Sequence, residues 1–491
     1  MSSETTLTTP EDLRTAAFRS AVRGYDPDVV HSMLERAAVT IERLQGVPSA
    51  VGGAAPVSAR ELRNAEIPPA LRGVNRDDVN AMCERAAATI EALTPVGERR
   101  AVPRSPIVDP SAVVPAAIER GPLVGAGLGT DVRDTIRVDL GDRSYSIVIG
   151  PNAVEELGSL AVRHGARRAV IVTQQPVAAF VRPVVAALDA AGIANTTLAI
   201  PDGESGKTLG TVDALCEAMA QWGLLRNDLV VALGGGVVGD TVGFAASVYY
   251  RGVAVVQVPT TLLAMVDASI GGKTAVNLPA GKNLVGAFHQ PLGVLADPSV
   301  LASLPDREFR CGLGEVLKYA LMGDAELLAV VEHEADALLA RDPEVLRRAI
   351  TRSAAVKARY VSEDEFERTG VREHLNYGHT LAHAIETVGD HVLAHGEAVA
   401  VGLVFAGALA GALERIPPAS AVRHRTLVEA LGLPSRVPVG LERAALEAVM
   451  RRDKKAVGGL RFVLAGPRGL ERVDDPPAPA LDAAFAAVGV A

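Results

Sequence analysis

Leu229-Val230-Val231-Ala232-Leu233-Gly234-Gly235-Gly236-Val237-Val238-Gly239-Asp240 reads as a buried strand that runs into a glycine-rich turn and opens a helix. The turn holds a formal GxGxxG at Gly234, Gly236 and Gly239. Glycines there let the backbone approach a pyrophosphate, and a helix N-terminus favours its negative charge. A ribose-binding acid belongs about twenty residues further on, but Gln257 and apolar neighbours occupy that stretch. The turn also sits mid-domain rather than after the first strand. Taken alone, it leaves dinucleotide binding and a tight structural turn both open.

Outward from this stretch, strands and helices alternate. Arg137–Leu140 and Tyr145–Ile149 pattern like an opening hairpin, and Ala169–Thr173, Thr197–Ile200 and Ala254–Val258 read as strands. Val212–Trp222 and Val238–Tyr250 read as helices. This order predicts an α/β fold, a mostly parallel sheet with helices on its faces. After about Pro305 the strand signals fade and helical patterns dominate, apart from a hairpin-like pair at Leu460–Leu464 and Leu470–Val473.

The first hundred residues repeat. Asp12–Leu44 aligns without gaps onto Glu61–Leu93, and Val30, Met33, Leu34, Ala37, Ile41 and Leu44 make one apolar helical stripe. A short helix cannot bury such a stripe alone, so the two units pair with each other or with a partner. Gln45–Ala59 and Thr94–Asp131 are rich in proline, glycine and small residues and read as linkers. The expected domains are residues 1–94 (helical repeats), 95–133 (linker), 134–305 (α/β) and 306–491 (α-helical).

Composition narrows the function classes. Of the 491 residues only 3% are aromatic, and the net charge is -9, which argues against a nucleic-acid partner. Cys83, Cys216 and Cys311 lie far apart, as in a reducing compartment. The start of the chain is polar, without the apolar core of a signal peptide. The longest apolar run, Ala398–Leu413, falls short of the roughly 18 residues of a membrane span and reads as a buried helix. A cytoplasmic protein with no membrane span is expected.

Chemistry concentrates between Glu315 and His395. Five of the 10 histidines fall between His374 and His395. His379 and His383 share one helix face at i, i+4. Such a pair alone is more often structural than ligating, but Glu315 and His395 add third ligands from other helices, as in bundle metal sites. Two imidazoles and a carboxylate with an open position suit zinc. Lys318 stands one turn after Glu315, and Asn376 and Arg372 stand one and two turns before His379. They suit an anionic, phosphorylated substrate. Upstream, Asp202-Gly203-Glu204-Ser205-Gly206-Lys207 could hold ribose hydroxyls or be a solvated turn. Ile270-Gly271-Gly272-Lys273-Thr274 ends like a P-loop, but Asp267 stands where the Walker pattern needs glycine.

With these residues in view, the chain from about Thr135 to Val488 resembles 3-dehydroquinate synthase of the sugar-phosphate cyclase superfamily. The matching stretches are ordered: Asp-Gly-Glu-x-x-Lys at 202, Gly-Gly-Gly-Val-Val-Gly-Asp at 234, Tyr-Arg-Gly at 250, Pro-Thr-Thr-Leu-Leu-Ala at 259, Asp-x-x-x-Gly-Gly-Lys-Thr at 267, Gly-Lys-Asn-Leu-Val-Gly at 281, Gly-Glu-Val-Leu-Lys at 314, Leu-Asn-Tyr-Gly-His-Thr at 375, His-Gly-Glu-Ala-Val at 395 and Asp-Lys-Lys at 453. The resemblance implies a Rossmann-like NAD domain followed by a helical metal and substrate domain. It implies that Glu315, His379 and His395 bind a divalent metal, zinc or cobalt. It implies an NAD site of Asp202, Glu204, Lys207, Gly235, Gly236, Asp240, Thr260, Thr261 and Lys282. Asp267, Lys273, Asn283, Lys318, Lys357, Arg372, Asn376, His383 and one or both of Lys454 and Lys455 would hold a phosphorylated seven-carbon keto-sugar acid. Lys273, Lys318, Arg372, Asn376 and His383 would serve catalysis, and Arg251 would reach across a homodimer to the phosphate.

Three positions depart from the family pattern: Gln174 replaces the acid expected for the adenosine ribose, Ala268 replaces Ser and Ala382 replaces Gly. Gln174 is compatible with an aminodehydroquinate synthase, which takes an amino analogue, whereas retention of Lys318 favours the ordinary substrate. The N-terminal repeats resemble the N-terminal motif of DivIVA-like polar-growth proteins, through Arg-Gly-Tyr-Asp-Pro at 23 and the helix after it. That implies a protein partner, and an alternative in which the chain is a non-catalytic scaffold.

Overall fold

A computed structural model describes residues 132–389, 392–452 and 459–490, together with 9–16, 18, 20–21, 24–25, 27–45, 57, 69–70, 73–74 and 76–93. The chain divides into two compact units, Met1–Arg104 and Ser105–Ala491.

In the first unit the two repeat copies bury each other. Helices Pro27–Leu44 and Arg76–Leu93 each follow two very short strands: β1 (Ser20–Ala21) and β2 (Gly24–Tyr25), then β3 (Pro69–Ala70) and β4 (Gly73–Val74). These interleave in the order β1-β4-β2-β3, so each copy pairs with strands of the other. Val30, Leu34, Ala37 and Ile41 share one core with their repeat equivalents Val79, Cys83, Ala86 and Ile90. The helices answer the apolar stripe. Two-residue strands carry no periodicity, so the sheet was not expected.

The second unit carries a seven-stranded sheet. Its strands are β5 (Asp134–Val138), β6 (Tyr145–Ile149), β7 (Arg168–Thr173), β8 (Ala194–Ala199), β9 (Leu229–Gly234), β10 (Ala254–Pro259) and β13 (Gly293–Ala296). They lie in the order β5-β6-β13-β10-β9-β7-β8, and all neighbours are parallel except β5 against β6. β9 is buried on both faces. Val230 and Ala232 pack with helices Leu209–Trp222 and Gly236–Val248. Leu229, Val231 and Leu233 pack with Glu156–His164 and Val181–Ala190. Period-two geometry explains why an unbroken apolar run serves two helix layers at once.

Several boundaries moved. β5 starts at Asp134 rather than Arg137, and the helix after the glycine turn ends at Val248 because Tyr250 takes a left-handed φ of 48°. The region expected as loops at 270–283 contributes an antiparallel hairpin, β11 (Lys273–Leu278) with β12 (Gly281–Phe288). The late hairpin is β14 (Arg461–Gly466) with β15 (Gly469–Asp474).

From Asp306 onward helices dominate: Asp306–Leu321, Ala325–His333, Pro343–Glu363, His379–Val388, His395–Ala412, Pro418–Ala430, Arg443–Arg452 and Ala478–Ala487 among them. Their core includes Leu317, Tyr377, Leu381, Leu403 and Phe405 and continues into Tyr145, Ile147 and Ile149 of β6. His395–Ala412 is long and apolar enough to cross a membrane by composition. However, 72% of its apolar window is buried inside the protein, where it forms the centre of the helical part. An all-round apolar helix is what such a position demands.

Candidate active site between the sheet and the helices

Close backbone contact builds the metal-like triad. A Cβ on Gly396 would stand 1.7 Å from the Cys311 carbonyl oxygen, and one on Gly314 would stand 2.3 Å from the Gly396 carbonyl oxygen. The bare backbones let helix Asp306–Leu321 meet the first turn of helix His395–Ala412. That contact sets Glu315 against His395. A similar contact joins Gly402 to the Gly378 carbonyl, with a built Cβ at 2.0 Å, and seats His379 at the start of its helix.

Glu315 is 0% exposed. Its Oε1 lies 3.3 Å from Nε2 of both His379 and His395. The other ring nitrogens face acceptors: His379 Nδ1 donates to the Tyr377 carbonyl at 3.2 Å, and His395 Nδ1 to Glu386 Oε1 at 3.3 Å. Both Nε2 atoms are therefore turned toward the carboxylate. One ligand atom from each residue lies within 4.8 Å of the others. Neither Glu315 oxygen accepts a directed hydrogen bond among the described residues. Two imidazole nitrogens and a buried carboxylate converging without a shared donor fit a divalent cation. Burial alone would raise the Glu315 carboxyl, but Lys318 and the two imidazoles hold it well below its ordinary value.

A second charged cluster adjoins the triad. Lys318 Nζ lies 2.5 Å from Glu315 Oε2 and 3.9 Å from Asp267 Oδ1. Asp267 sits in a single π-helical turn, Ala264–Ala268, a form that often marks functional positions. Its carboxylate also takes Lys357 Nζ at 2.7 Å and the Tyr319 hydroxyl. Burial works to raise the Asp267 carboxyl, and Lys357 and Lys318 overcome it, so the group stays ionised. Burial pulls the Lys357 ammonium down to about 8 against the attraction of Asp267. Lys318 and Lys357 are balanced by Glu315 and Asp267, so a divalent cation on the triad would make the pocket net positive.

Arg372 and Lys273 meet at an unexpected residue. Arg372, only 2% exposed, donates to the carbonyls of Glu365 (2.8 Å) and Gly271 (3.1 Å) and so holds the Gly271-Gly272 turn. Its Nε has no hydrogen-bond partner among the described residues and lies 3.6 Å from Glu367 Oε1. Lys273, 56% exposed at the start of β11, pairs with the same Glu367 carboxylate. An acid thus stands between the two cations expected to hold phosphate. His383 lies one turn after His379, with ring centroids 5.4 Å apart. Asn376 ends the turn Val371–Asn376 just before Tyr377. Asn283 is tied through its amide to Asn277 Oδ1 at 3.0 Å. Arg251 stands in a left-handed conformation (φ 66°) after Tyr250. Lys454 and Lys455 lie outside the described residues.

The glycine turn lies where β9 ends. Gly235 and Gly236 start helix Gly236–Val248, and a Cβ on Gly235 would stand 3.0 Å from Thr261 Cγ2. Thr260 donates its amide to the Gly234 carbonyl, while its buried hydroxyl has no partner among the described residues. Asp240 and Lys207 pair at 2.5 Å, and burial raises the Asp240 carboxyl despite that lysine. Glu204 accepts from Asn277 at 2.8 Å, and Asp202 from the Gly203 amide at 2.9 Å. Lys282 opens the exposed edge of β12. Bare glycines at a helix N-terminus with an unmatched hydroxyl alongside suit a dinucleotide's phosphates. Gln174, at the end of neighbouring β7, is tied to the Pro201 carbonyl at 2.8 Å.

Sequence reasoning missed Tyr319, Glu386, Glu365 and Glu367. Glu386 was within reach, since His379, His383 and Glu386 follow an i, i+4, i+7 spacing. The others carry no local signal.

Sequence profiles described as 3-dehydroquinate synthase N-terminal and C-terminal match residues 197–311 and 312–456. A 3-dehydroquinate synthase of Geobacter metallireducens is 46% identical over 334 residues, covering 67% of this chain and 92% of that protein. A protein of Amycolatopsis mediterranei, provisionally named an aminodehydroquinate synthase, is 47% identical over 348 residues, covering 71% and 93%. Among solved structures, a 2-epi-5-epi-valiolone synthase from Streptomyces hygroscopicus, with NAD+ and Zn2+ bound, is 30% identical. It aligns with a TM-score of 0.63 over 71% of this chain and 98% of that one.

Proposed function

The chain belongs to the 3-dehydroquinate synthase family, and from that premise we propose that it converts 3-deoxy-D-arabino-heptulosonate 7-phosphate to 3-dehydroquinate and phosphate. The carrying observation is one continuous charged chain, from His379 and His395 through Glu315 and Lys318 to Asp267 and Lys357. It puts a divalent-cation site within one helical turn of anion-binding lysines.

In this reading Glu315, His379 and His395 hold zinc or cobalt, and Gly235, Gly236, Thr260, Thr261, Asp240, Lys207, Glu204, Asp202 and Lys282 line an NAD site. When bound, these two groups supply polarisation of the substrate alcohol and transient removal and return of hydride. The protein's own residues do the rest. Lys273, Arg372 and Asn283 gather the phosphate, and the two cations must be released from Glu367 to do so. Lys318 and Lys357, held by Asp267, fix the sugar acid, so that its reacting ends stay together for the ring-closing aldol step. His383 moves a proton beside the triad. Asn376 orients the substrate, and Lys454 or Lys455 closes on it. Arg251 is assigned to the phosphate of a second copy in a homodimer. The N-terminal unit is assigned a DivIVA-like partner-binding role, in the cytoplasm.

Gln174 and the Amycolatopsis relative favour a second reading, an aminodehydroquinate synthase. Phosphate release by the full chain, loaded with zinc and NAD+, should be measured with both substrates side by side. The ordinary sugar acid should win in kcat/KM. A preference for the amino analogue selects the second reading, and release from neither overturns both, leaving the scaffold.

A further inference from the structure

Behind the triad lies a buried polar pair that the proposed chemistry does not use. Tyr377 is fully buried, and its hydroxyl lies 2.7 Å from Nε2 of His424, itself 5% exposed. His424 Nδ1 lies 2.7 Å from the Ser420 carbonyl. A carbonyl only accepts, so Nδ1 carries the proton and Nε2 accepts from the phenol. Burial keeps His424 below the ordinary imidazole value, in keeping with a neutral ring. The pair spans two elements. His424 reaches from helix Pro418–Ala430 past Gly407 of helix His395–Ala412, where a Cβ would stand 2.6 Å from the imidazole Cγ. That helix position is bare so that the imidazole can pass.

The same Tyr377 supplies the carbonyl that accepts from His379 Nδ1. We propose that Tyr377 and His424 are positioning residues for the metal ligand His379: their hydrogen bond anchors the Tyr377 carbonyl and so keeps His379 Nε2 turned toward Glu315. The proposal rests on the reading of Glu315, His379 and His395 as a metal site.

The physical argument has two parts. The final torsion of an imidazole is broad, so packing sets its ring orientation poorly, and the Nδ1 hydrogen bond decides which nitrogen faces the metal. The acceptor of that bond precedes Gly378, which has a φ of 80° and little torsional resistance of its own. A side-chain anchor on Tyr377 supplies that resistance. The second part is cost. Two aromatic or aliphatic groups would fill the same space without desolvating a hydroxyl and an imidazole. A satisfied polar pair in an apolar core instead specifies one arrangement.

Cobalt binding by the full-length chain tests this. Co2+ affinity is read by chelator competition, ligand field by visible absorption, and fold by urea unfolding in excess chelator. Tyr377→Phe and His424→Leu should each weaken Co2+ binding about tenfold and shift the absorption bands, as loss of a partner behind a ligand does. His424→Gln returns an acceptor for the phenol and should stay within about threefold of the parent. A merely structural pair would lower urea stability in all three while leaving affinity and spectrum at parental values. That result in folded Tyr377→Phe or folded His424→Leu sinks the proposal. Parental protein that takes up no Co2+, or takes it up equally after Glu315→Gln, sinks the metal reading itself and the proposal with it.

Discussion

At the residue scale the site is a balance of buried charges. Glu315 is the shared acid of two imidazoles and one lysine, so Glu315→Gln removes the anion while keeping the shape. It should abolish stoichiometric metal and lower turnover on the order of 10³-fold, since a bound metal contributes several kcal/mol to the transition state. Metal analysis and a phosphate-release assay check this, and full activity without metal would refute the ligand assignment. Lys357 gives a pH signature. Burial brings it from the ordinary 10.5 down to about 8, so it is a cation below that pH and neutral above it. An anion-binding lysine then loses its grip as pH rises, and kcat/KM should fall above about pH 8. Lys357→Arg should remove that limb, because a guanidinium stays charged. The linked stability effect has the opposite sense. The unfolded chain holds the extra proton between 8 and 10.5, so the penalty of burying Lys357 is full below 8 and fades toward 10.5. The grouping of Glu315, His379, His395 and Lys318 was legible because their residue types and motif spacing suit ligands. Glu367 and Tyr319 were not, because an acid or a tyrosine says nothing until the charges around it are known.

At the element scale, helix contacts set the ligand geometry. Exposed Gly→Ala changes inside helices normally stabilise by up to about 1 kcal/mol. Gly396→Ala should do the reverse, because its Cβ would stand 1.7 Å from the Cys311 carbonyl oxygen. The expected loss is about 3 kcal/mol in urea unfolding, together with loss of bound metal as the helices part. A stable variant that keeps its metal would show that the contact does not position Glu315. Six of the seven sheet strands, all but β13, and the helical character after Asp306 were readable, since apolar runs and 3.6-residue stripes are local. The hairpin of β11 and β12 was not. Its short alternation lies among glycines and polar residues, and Gly286 lets the strands close by bringing a would-be Cβ to 2.0 Å from the Thr274 carbonyl oxygen.

At the scale of the whole molecule, the chain holds two units with separate cores. Each buries its own apolar surface, so a fragment starting at Val132 should fold alone and keep metal, NAD+ and turnover within about threefold of the full chain. Its melting curve and phosphate release test this, and a folded but inactive fragment would give the N-terminal unit a part in the site. The sequence by itself determined the alternation of strands and helices, the repeat with its two apolar stripes, and the kinds of ligand the site would use. Those follow from local periodicity and side-chain chemistry, which any stretch carries with it. Only the tertiary structure decided that Glu315, His379 and His395 meet on one point, that Glu367 bridges Lys273 and Arg372, and that Tyr377 leans on His424. Each depends on how closely two distant backbones approach. That distance is set by bare glycines such as Gly314, Gly396 and Gly407, whose meaning appears only once the neighbour is in place.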